Sequence, residues 1–174
     1  IETKAELRQV LALRRAVFHY EFARKWISLS SDRDEFDARA DHLAIICKET
    51  GKIVGVYRLI VSGPDQIYYS NTEFDITGFL RHPGKKVELS RACIDRDYRT
   101  GTVIALLWKG LAEYAKAAGA DYLFGLSSVT STDKGVIRSL HQHFENSGIV
   151  DLSFGMDPRP AYAIEGFSKK IGRA

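Results

Sequence analysis

Glu88 and Arg91 stand three residues apart in Val87-Glu88-Leu89-Ser90-Arg91-Ala92-Cys93-Ile94, a run that otherwise reads as a buried β-strand. Charges inside a strand are costly unless paired, so this pair points to chemistry rather than to stability alone. Side chains three apart on a regular strand leave on opposite faces. Glu88 and Arg91 therefore share a site only if a β-bulge intervenes, and bulges re-aim side chains beside active sites. The strand is followed by Asp95-Arg96-Asp97-Tyr98-Arg99-Thr100-Gly101 and then by Val103-Ile104-Ala105-Leu106-Leu107-Trp108. A strand, a basic turn and a helix N-terminus form a corner whose unpaired N–H groups and helix dipole attract an anion.

A second set of charges lies upstream. Leu7, Leu11, Arg14, Phe18 and Phe22 recur at helical spacing, which places Arg14 inside an apolar stripe. Arg14, Arg58 and Arg91 with Asp34 and Asp37 are expected to form one network. It either holds the first helix over the site or clamps a substrate carboxylate, which a guanidinium fork grips bidentately. Glu88 reads as a general base or an amine-binding carboxylate, with an ion pair to Arg91 or Arg58 as the structural alternative. Glu73 and Asp75 are possible amine contacts or exposed loop positions. Phe18, Phe22, Trp26, Phe74 and Trp108 either line an apolar pocket or pack an ordinary core. Ser127-Ser128 lacks the flanking glycines of a nucleophile elbow. His141 and His143 diverge on a helix with no accompanying ligand set, so no metal site is expected.

The elements that must carry these residues follow from pattern. A helix is expected over about 5–25, then an acidic, turn-like segment over 28–41 with a short helix inside it. Apolar runs at 42–48 and 52–61 around Glu49-Thr50-Gly51 read as a hairpin. Residues 66–86 read as irregular, with a strand at 87–94, a helix over 102–118 ending at Gly119, and a short strand at 122–126. A helix capped by Thr132 or Asp133 runs towards Phe144. Strands near 149–154 and 161–168 flank Asp157-Pro158-Arg159-Pro160. This order is an α/β domain: a mixed sheet with helices on both faces. With 174 residues, no internal repeat and no linker, a single domain over 1–174 is expected.

Composition narrows the function classes. A net charge of +3 favours an acidic partner mildly and is too small to indicate nucleic-acid binding. Cys47 and Cys93 sit in apolar runs and read as buried free thiols of a reducing compartment. No apolar run approaches the roughly 20 residues of a bilayer span, and no signal peptide is evident. A cytoplasmic protein that is not transmembrane is the expectation.

Strand, phosphate-holding turn and helix in this order resemble the GNAT acyltransferase superfamily, whose central sheet is mostly antiparallel. Within it, Arg14, Phe18, Trp26, Asp34, Asp37, Arg58, Phe74, Glu88 and Arg91 resemble the ordered set of the acyl-homoserine-lactone synthases, the autoinducer synthases. Tyr69-Ser70-(x)2-Glu73-Phe74-Asp75, Glu88-Leu89-Ser90-Arg91-Ala92-Cys93-Ile94, Leu107-Trp108 and Leu123-Phe124-Gly125 are more similar to the hemolysin-like N-acyltransferases. That group includes ornithine N-acyltransferases and long-chain N-acyl amino acid synthases. The resemblance implies transfer of a fatty acyl chain from a thioester to the α-amine of an amino acid, with Glu88 and Arg91 catalytic. It places the acceptor among Arg14, Phe18, Trp26, Asp34, Asp37, Arg58, Glu73 and Phe74. The donor falls along Cys93, Ile94, Arg96, Arg99, Thr100, Gly101 and Thr102.

Coenzyme A-dependent members carry Arg-x-x-Gly-x-Gly/Ala after the strand. Here Thr102 and Ile104 hold the two glycine positions and would crowd a pyrophosphate. The expected donor is therefore the acyl-phosphopantetheine arm of acyl carrier protein, with no tightly bound cofactor. Arg96, Arg99 and Lys109 suit that acidic partner. An acyl-homoserine-lactone synthase using S-adenosylmethionine, or a non-catalytic acyl- or carrier-binding module, are the alternatives.

Overall fold

A computed structural model describes residues 1–22, 32–63, 65–129, 131 and 133–164, the side chains of 20–22 excepted. The chain falls into two compact units, Ile1–Ile67 with Gly84–Phe124, and Tyr68–Pro83 with Gly125–Ala174.

The first unit opens with α1 (Lys4–Arg15), started by a capping box in which Thr3 accepts from the Glu6 N–H and Glu6 reaches back to the Thr3 N–H. The helix then widens into a π-helical turn over Ala16–Phe22. Its buried face is Val10, Leu13, Arg14 and Val17, not the expected Leu7–Leu11–Phe18 stripe. The wider turn shifts the register, so Val17 stays inward while Phe18 is only partly covered. A 3-10 turn follows at Glu35–Arg39, capped by Asp34, whose side chain accepts from the Phe36 N–H.

Strands β1 (Asp41–Ile46) and β2 (Ile53–Val61) form the expected hairpin. In the second unit lie a 3-10 turn (Tyr69–Thr72), the two-residue strand β3 (Phe74–Asp75) and the short helix α2 (Thr77–Arg81), in a segment the sequence pattern left irregular. Returning to the first unit, β4 (Lys86–Ile94), α3 (Thr102–Ala118) and β5 (Tyr122–Phe124) complete it. The helix α3 ends at Gly119 in the left-handed conformation, φ 63°, the cap its sequence announces. The second unit ends with α4 (Lys134–Asn146), capped by Asp133, and β6 (Asp157–Pro158), which pairs with β3.

The first unit carries a four-stranded sheet in the order β1-β2-β4-β5, antiparallel except for the β4–β5 pair. Val10, Leu13 and Val17 of α1 pack with Ile53, Val56 and Cys93 on one face. On the other, Val103, Leu107 and Leu111 of α3 pack with Val54, Leu59 and Val87. The α3 contact is close at Gly55, where a Cβ would stand 2.5 Å from Val103 Cγ1. Helices thus cover both faces of a mixed, mostly antiparallel sheet, as the sequence predicts. The tail differs from expectation. Residues 149–154 form no strand, and the Asp157-Pro158 pair expected to turn is itself β6. Residues 161–162 are a turn, and 165–168 lie outside the described residues. Among the described residues no helix is long and apolar enough to cross a membrane.

Candidate active site

The strand β4 is irregular where its charges stand. Arg58 faces Ser90 and Val56 faces Cys93, so Arg91 and Ala92 together oppose Tyr57. This is a β-bulge, and Arg91 takes φ 52°, a left-handed conformation unusual for a residue with a side chain. Glu88 pairs with Ile60, two positions from the Ser90–Arg58 pair, which places it on the same sheet face as Arg58. The bulge turns Arg91 to that face as well. Its Nη2 donates to Asp34 Oδ2 at 3.1 Å, and its guanidinium lies 5.6 Å from the centre of the Phe18 ring.

Six charges interlock there. Arg14 donates through Nε to Asp32 Oδ2 at 2.6 Å, through Nη1 to Asp37 Oδ1 at 2.6 Å, and through Nη2 to the Asp32 carbonyl at 2.8 Å. Arg58 donates from Nη1 to Asp34 Oδ1 at 2.5 Å and to Asp37 Oδ1 at 3.3 Å, and from Nε to Ser90 Oγ at 3.0 Å. Arg14, Arg58 and Glu88 are all 0% exposed. Three arginines meet three aspartates, so the network is formally neutral, a condition for burying charge. Burial pushes the Asp37 carboxyl up, but Arg14, the Asp34 N–H and Arg58 outweigh it and hold it below the ordinary value. Asp34 is likewise pushed up by burial and held lower by Arg58 and Arg91. His42, packed at 3.8 Å from Asp37 Oδ1, is driven down by burial, with Arg14 and Arg58 adding to that.

Beyond Glu88 the second edge of β4 carries no strand among the described residues, because β5 pairs only with Lys86, Val87 and Glu88. A groove of about 330 Å³ lies at this end of the strand, lined by Ala92, Cys93, Ile94, Arg99, Ile104 and Leu107, with Val17 and Tyr57. Gly101 turns the chain into α3 with φ 90°, and no side chain caps the helix start. Arg99 folds back so that Nε and Nη2 donate to the Ile94 carbonyl at 3.1 and 2.9 Å. Arg96, Thr100 and Thr102 are exposed along the same turn.

The structure therefore brings together Arg14, Phe18, Asp34, Asp37, Arg58 and Arg91, with Glu88 on their sheet face. Cys93, Ile94 and Arg99 fall on the groove. Glu73 and Phe74 belong to the second unit, where the Tyr69 hydroxyl donates to Glu73 Oε1 at 3.1 Å and Phe74 pairs with Pro158. Trp26 lies outside the described residues. Trp108 is 52% exposed and meets Tyr57 edge-on, so it is not a core residue. Cys47, expected buried, is half-exposed at the hairpin end, because the chain turns there and its N–H is taken by the Lys52 carbonyl.

Sequence reasoning missed Asp32, His19 and Ser90. Asp32 lies in an acidic run that reads as solvated surface, and its partners are far away in the chain. His19 Nε2 lies 2.9 Å from Asp32 Oδ1.

A family model described as "Acetyltransferase (GNAT) domain" matches residues 13–109. The L-ornithine N(alpha)-acyltransferase of Rhodobacter capsulatus is 33% identical over 79% of this chain and 60% of its own length. That of Rhizobium meliloti is 40% identical over 56% of this chain and 36% of its own. Across four such relatives the chain spans 36% to 60% of their length. Among solved structures, a Trypanosoma brucei acetyltransferase aligns over 86% of this chain and 89% of its own with TM-score 0.48 at 16% identity.

Proposed function

The chain belongs to the GNAT acetyltransferase domain family, and from that premise we propose that it is an N-acyltransferase. It moves a long-chain fatty acyl group from acyl carrier protein to the α-amine of an amino acid, with ornithine as the acceptor. The observation that carries this reading is the groove on the open end of β4, apolar in lining and adjoining the bulge that presents the buried charges. An apolar groove suits a pantetheine arm and its acyl chain. The bulge frees backbone N–H groups of β4 from the ladder, the kind of donor an oxyanion needs. Glu88 supplies a carboxylate for the acceptor's ammonium. The relatives' names supply the acceptor: each is called an L-ornithine N(alpha)-acyltransferase.

The donor assignment rests on α3. Thr102 opens the helix and Ile104 lines the groove, at positions where glycines let coenzyme A-using members wrap a pyrophosphate. A phosphopantetheine arm has one phosphate and no adenosine end, and needs less of that loop. Arg96, Arg99 and Lys109 are exposed beside it and complement an acidic carrier protein.

Thiol release with ornithine, measured with palmitoyl-acyl carrier protein and with palmitoyl-coenzyme A, tests the reading. Acyl carrier protein should be the better donor, with kcat/KM falling as salt rises. Alanine at Arg96 and Arg99 should raise its KM more than it lowers kcat. Glu88→Gln should lower kcat/KM for ornithine by ~10²-fold, the scale for losing a charge-assisted contact at a reacting group. Equal, salt-insensitive use of the coenzyme A thioester would overturn the donor, and near-normal turnover of Glu88→Gln would remove that residue from the site.

A further inference from the structure

Transfer of a long acyl chain to an amino acid leaves an amphiphile, a charged head on a fatty tail, which water receives poorly. Release of such a product calls for an apolar phase at the mouth of the groove. The outer face of α3 offers a surface suited to one.

Val103, Leu107 and Leu111 turn inward from α3. Ile104, Trp108 and Ala112, each one position further on, form a stripe at helical spacing that stays outside. Ile104 is 37% exposed and Trp108 52%. The stripe joins the groove at two points. Ile104 lines the groove, and so does Tyr57, whose ring centre lies 6.4 Å from that of Trp108. The apolar wall of the groove thus runs on through Ile104 and Tyr57 to an indole on the outside of the helix.

Lys109 and Lys116, seven apart and both exposed, follow one flank of the stripe, and Glu113 is the only acidic residue of α3. Lys116 stands about 18 Å along the axis from Ile104, well away from the Arg96–Arg99 turn assigned to the carrier protein. An exposed tryptophan in an apolar stripe with lysines on its flank is the pattern of a helix lying in a lipid interface. The indole sits at headgroup level there, and lysine stems carry their ammonium groups out to anionic headgroups.

We propose that the Ile104–Trp108–Ala112 face of α3 rests on an anionic lipid bilayer, with Trp108 in the interface. The groove then opens at the membrane, and the acylated product passes directly into lipid. The purpose of this docking rests on the long-chain transfer proposed above, whereas the docking itself is measured without substrate.

The test is sedimentation of the purified chain with vesicles of phosphatidylglycerol and phosphatidylcholine in equal parts, and with vesicles of phosphatidylcholine alone. The wild-type chain should pellet with the anionic vesicles, much less with the neutral ones, and less as salt rises. Trp108→Gln should lower the partition by ~10-fold or more, and Lys116→Gln by about fivefold, while both melt at the wild-type temperature. In a Trp26→Phe background, anionic vesicles should shift the Trp108 emission to the blue. A wild-type chain that stays in the supernatant overturns the proposal, and so does full vesicle binding by Trp108→Gln. Loss of carrier-protein binding or of a dimer in Trp108→Gln, with vesicle binding unchanged, overturns it as well and assigns the face to a protein. A chain that pellets but releases no thiol from palmitoyl-acyl carrier protein with any amino acid upholds the docking and overturns the transfer reaction, so the two failures are distinct.

Discussion

Asp37→Asn is the sharpest probe of the buried network. Asp37 Oδ1 accepts from Arg14 Nη1 and Arg58 Nη1, and Oδ2 accepts from Arg14 Nη2 and the Asp34 N–H. Asparagine has the same shape but must point an NH2 at one of these pairs of donors. Whichever oxygen is replaced, two donors lose their acceptor and one arginine charge is left uncompensated. Arg14 and Arg58 are both 0% exposed, so water does not take over. Removing one partner of a buried pair costs ~3–5 kcal/mol, and a chain of this size loses ~2–4 °C of Tm per kcal/mol. Thermal melting at pH 7 should therefore show a drop of about 6–20 °C. Glu35→Gln, an exposed neighbour, should stay within ~0.5 kcal/mol of wild type. The acid limb gives a second readout. Because the folded Asp37 carboxyl lies below its ordinary 3.8, the unfolded chain binds more protons as pH falls through that range. The stabilisation is complete above about pH 4 and is lost below it. Asp37→Asn should flatten that loss. A variant that melts like the Glu35 control, or keeps the full acid limb, would refute the claim that the cluster is dry and coupled.

Two further outcomes follow from groups whose titration is displaced. Burial holds His42 below its ordinary 6.5, so the folded state carries fewer protons there than the unfolded chain. Stability should be full above about pH 6.5 and erode as pH falls below it, and His42→Gln should lose that slope in melts between pH 7.5 and 5.5; an unchanged slope excludes His42 as its source. Hydrogen bonds from the Thr50 hydroxyl and N–H, then from Tyr98 and the Glu49 N–H, bring the Cys47 thiol down to about 7 from 9.0. Iodoacetamide at neutral pH should label Cys47 ahead of Cys93, which is 6% exposed; Thr50→Val should slow the labelling, and peptide mapping that finds Cys93 modified first would contradict this.

What the sequence discloses here is mostly local. The β1–β2 hairpin is written in apolar β-branched runs around Glu49-Thr50-Gly51, and the α3 stop is written in Gly119. The β4 bulge is legible for a chemical reason: Glu88 and Arg91 reach the same face only if the strand gains a residue between pairs, and it does so at Arg91–Ala92. Arg14 is legible because a charge in an apolar stripe needs a partner, and Asp37 of the expected network is one of its partners; the other, Asp32, is not foreseen. That choice is set by the path of the acidic segment, which no periodicity encodes. His19 is invisible for the same reason, since only the π-helical turn carries it to Asp32. The tail fails differently: 149–154 has strand-like residues but pairs with no strand among the described residues, and pairing, not propensity, makes a strand.

The network's cost points to its use. Apolar side chains of equal volume in place of a buried ion cluster are often as stable or more so, so stability alone does not account for Arg14, Arg58, Asp32 and Asp37 at the sheet face. What the cluster fixes is a backbone conformation that the sheet by itself would not keep. Arg91 at φ 52° costs on the order of 1–3 kcal/mol relative to a regular strand. It is held by the Asp34 carboxylate on one side and the Phe18 ring on the other. Asp34 is in turn held by Arg58, and Arg58 by Ser90 on the residue just before the bulge. The chain of contacts closes on β4 itself: it leaves the strand at Ser90 and returns at Arg91. A regular strand at those two residues would shift Ala92, Cys93 and Ile94 by one register position, and these are the residues that line the groove. The ion pairs and the groove are therefore one device, in which buried charge holds open the strand geometry that lines the groove proposed for the acyl donor.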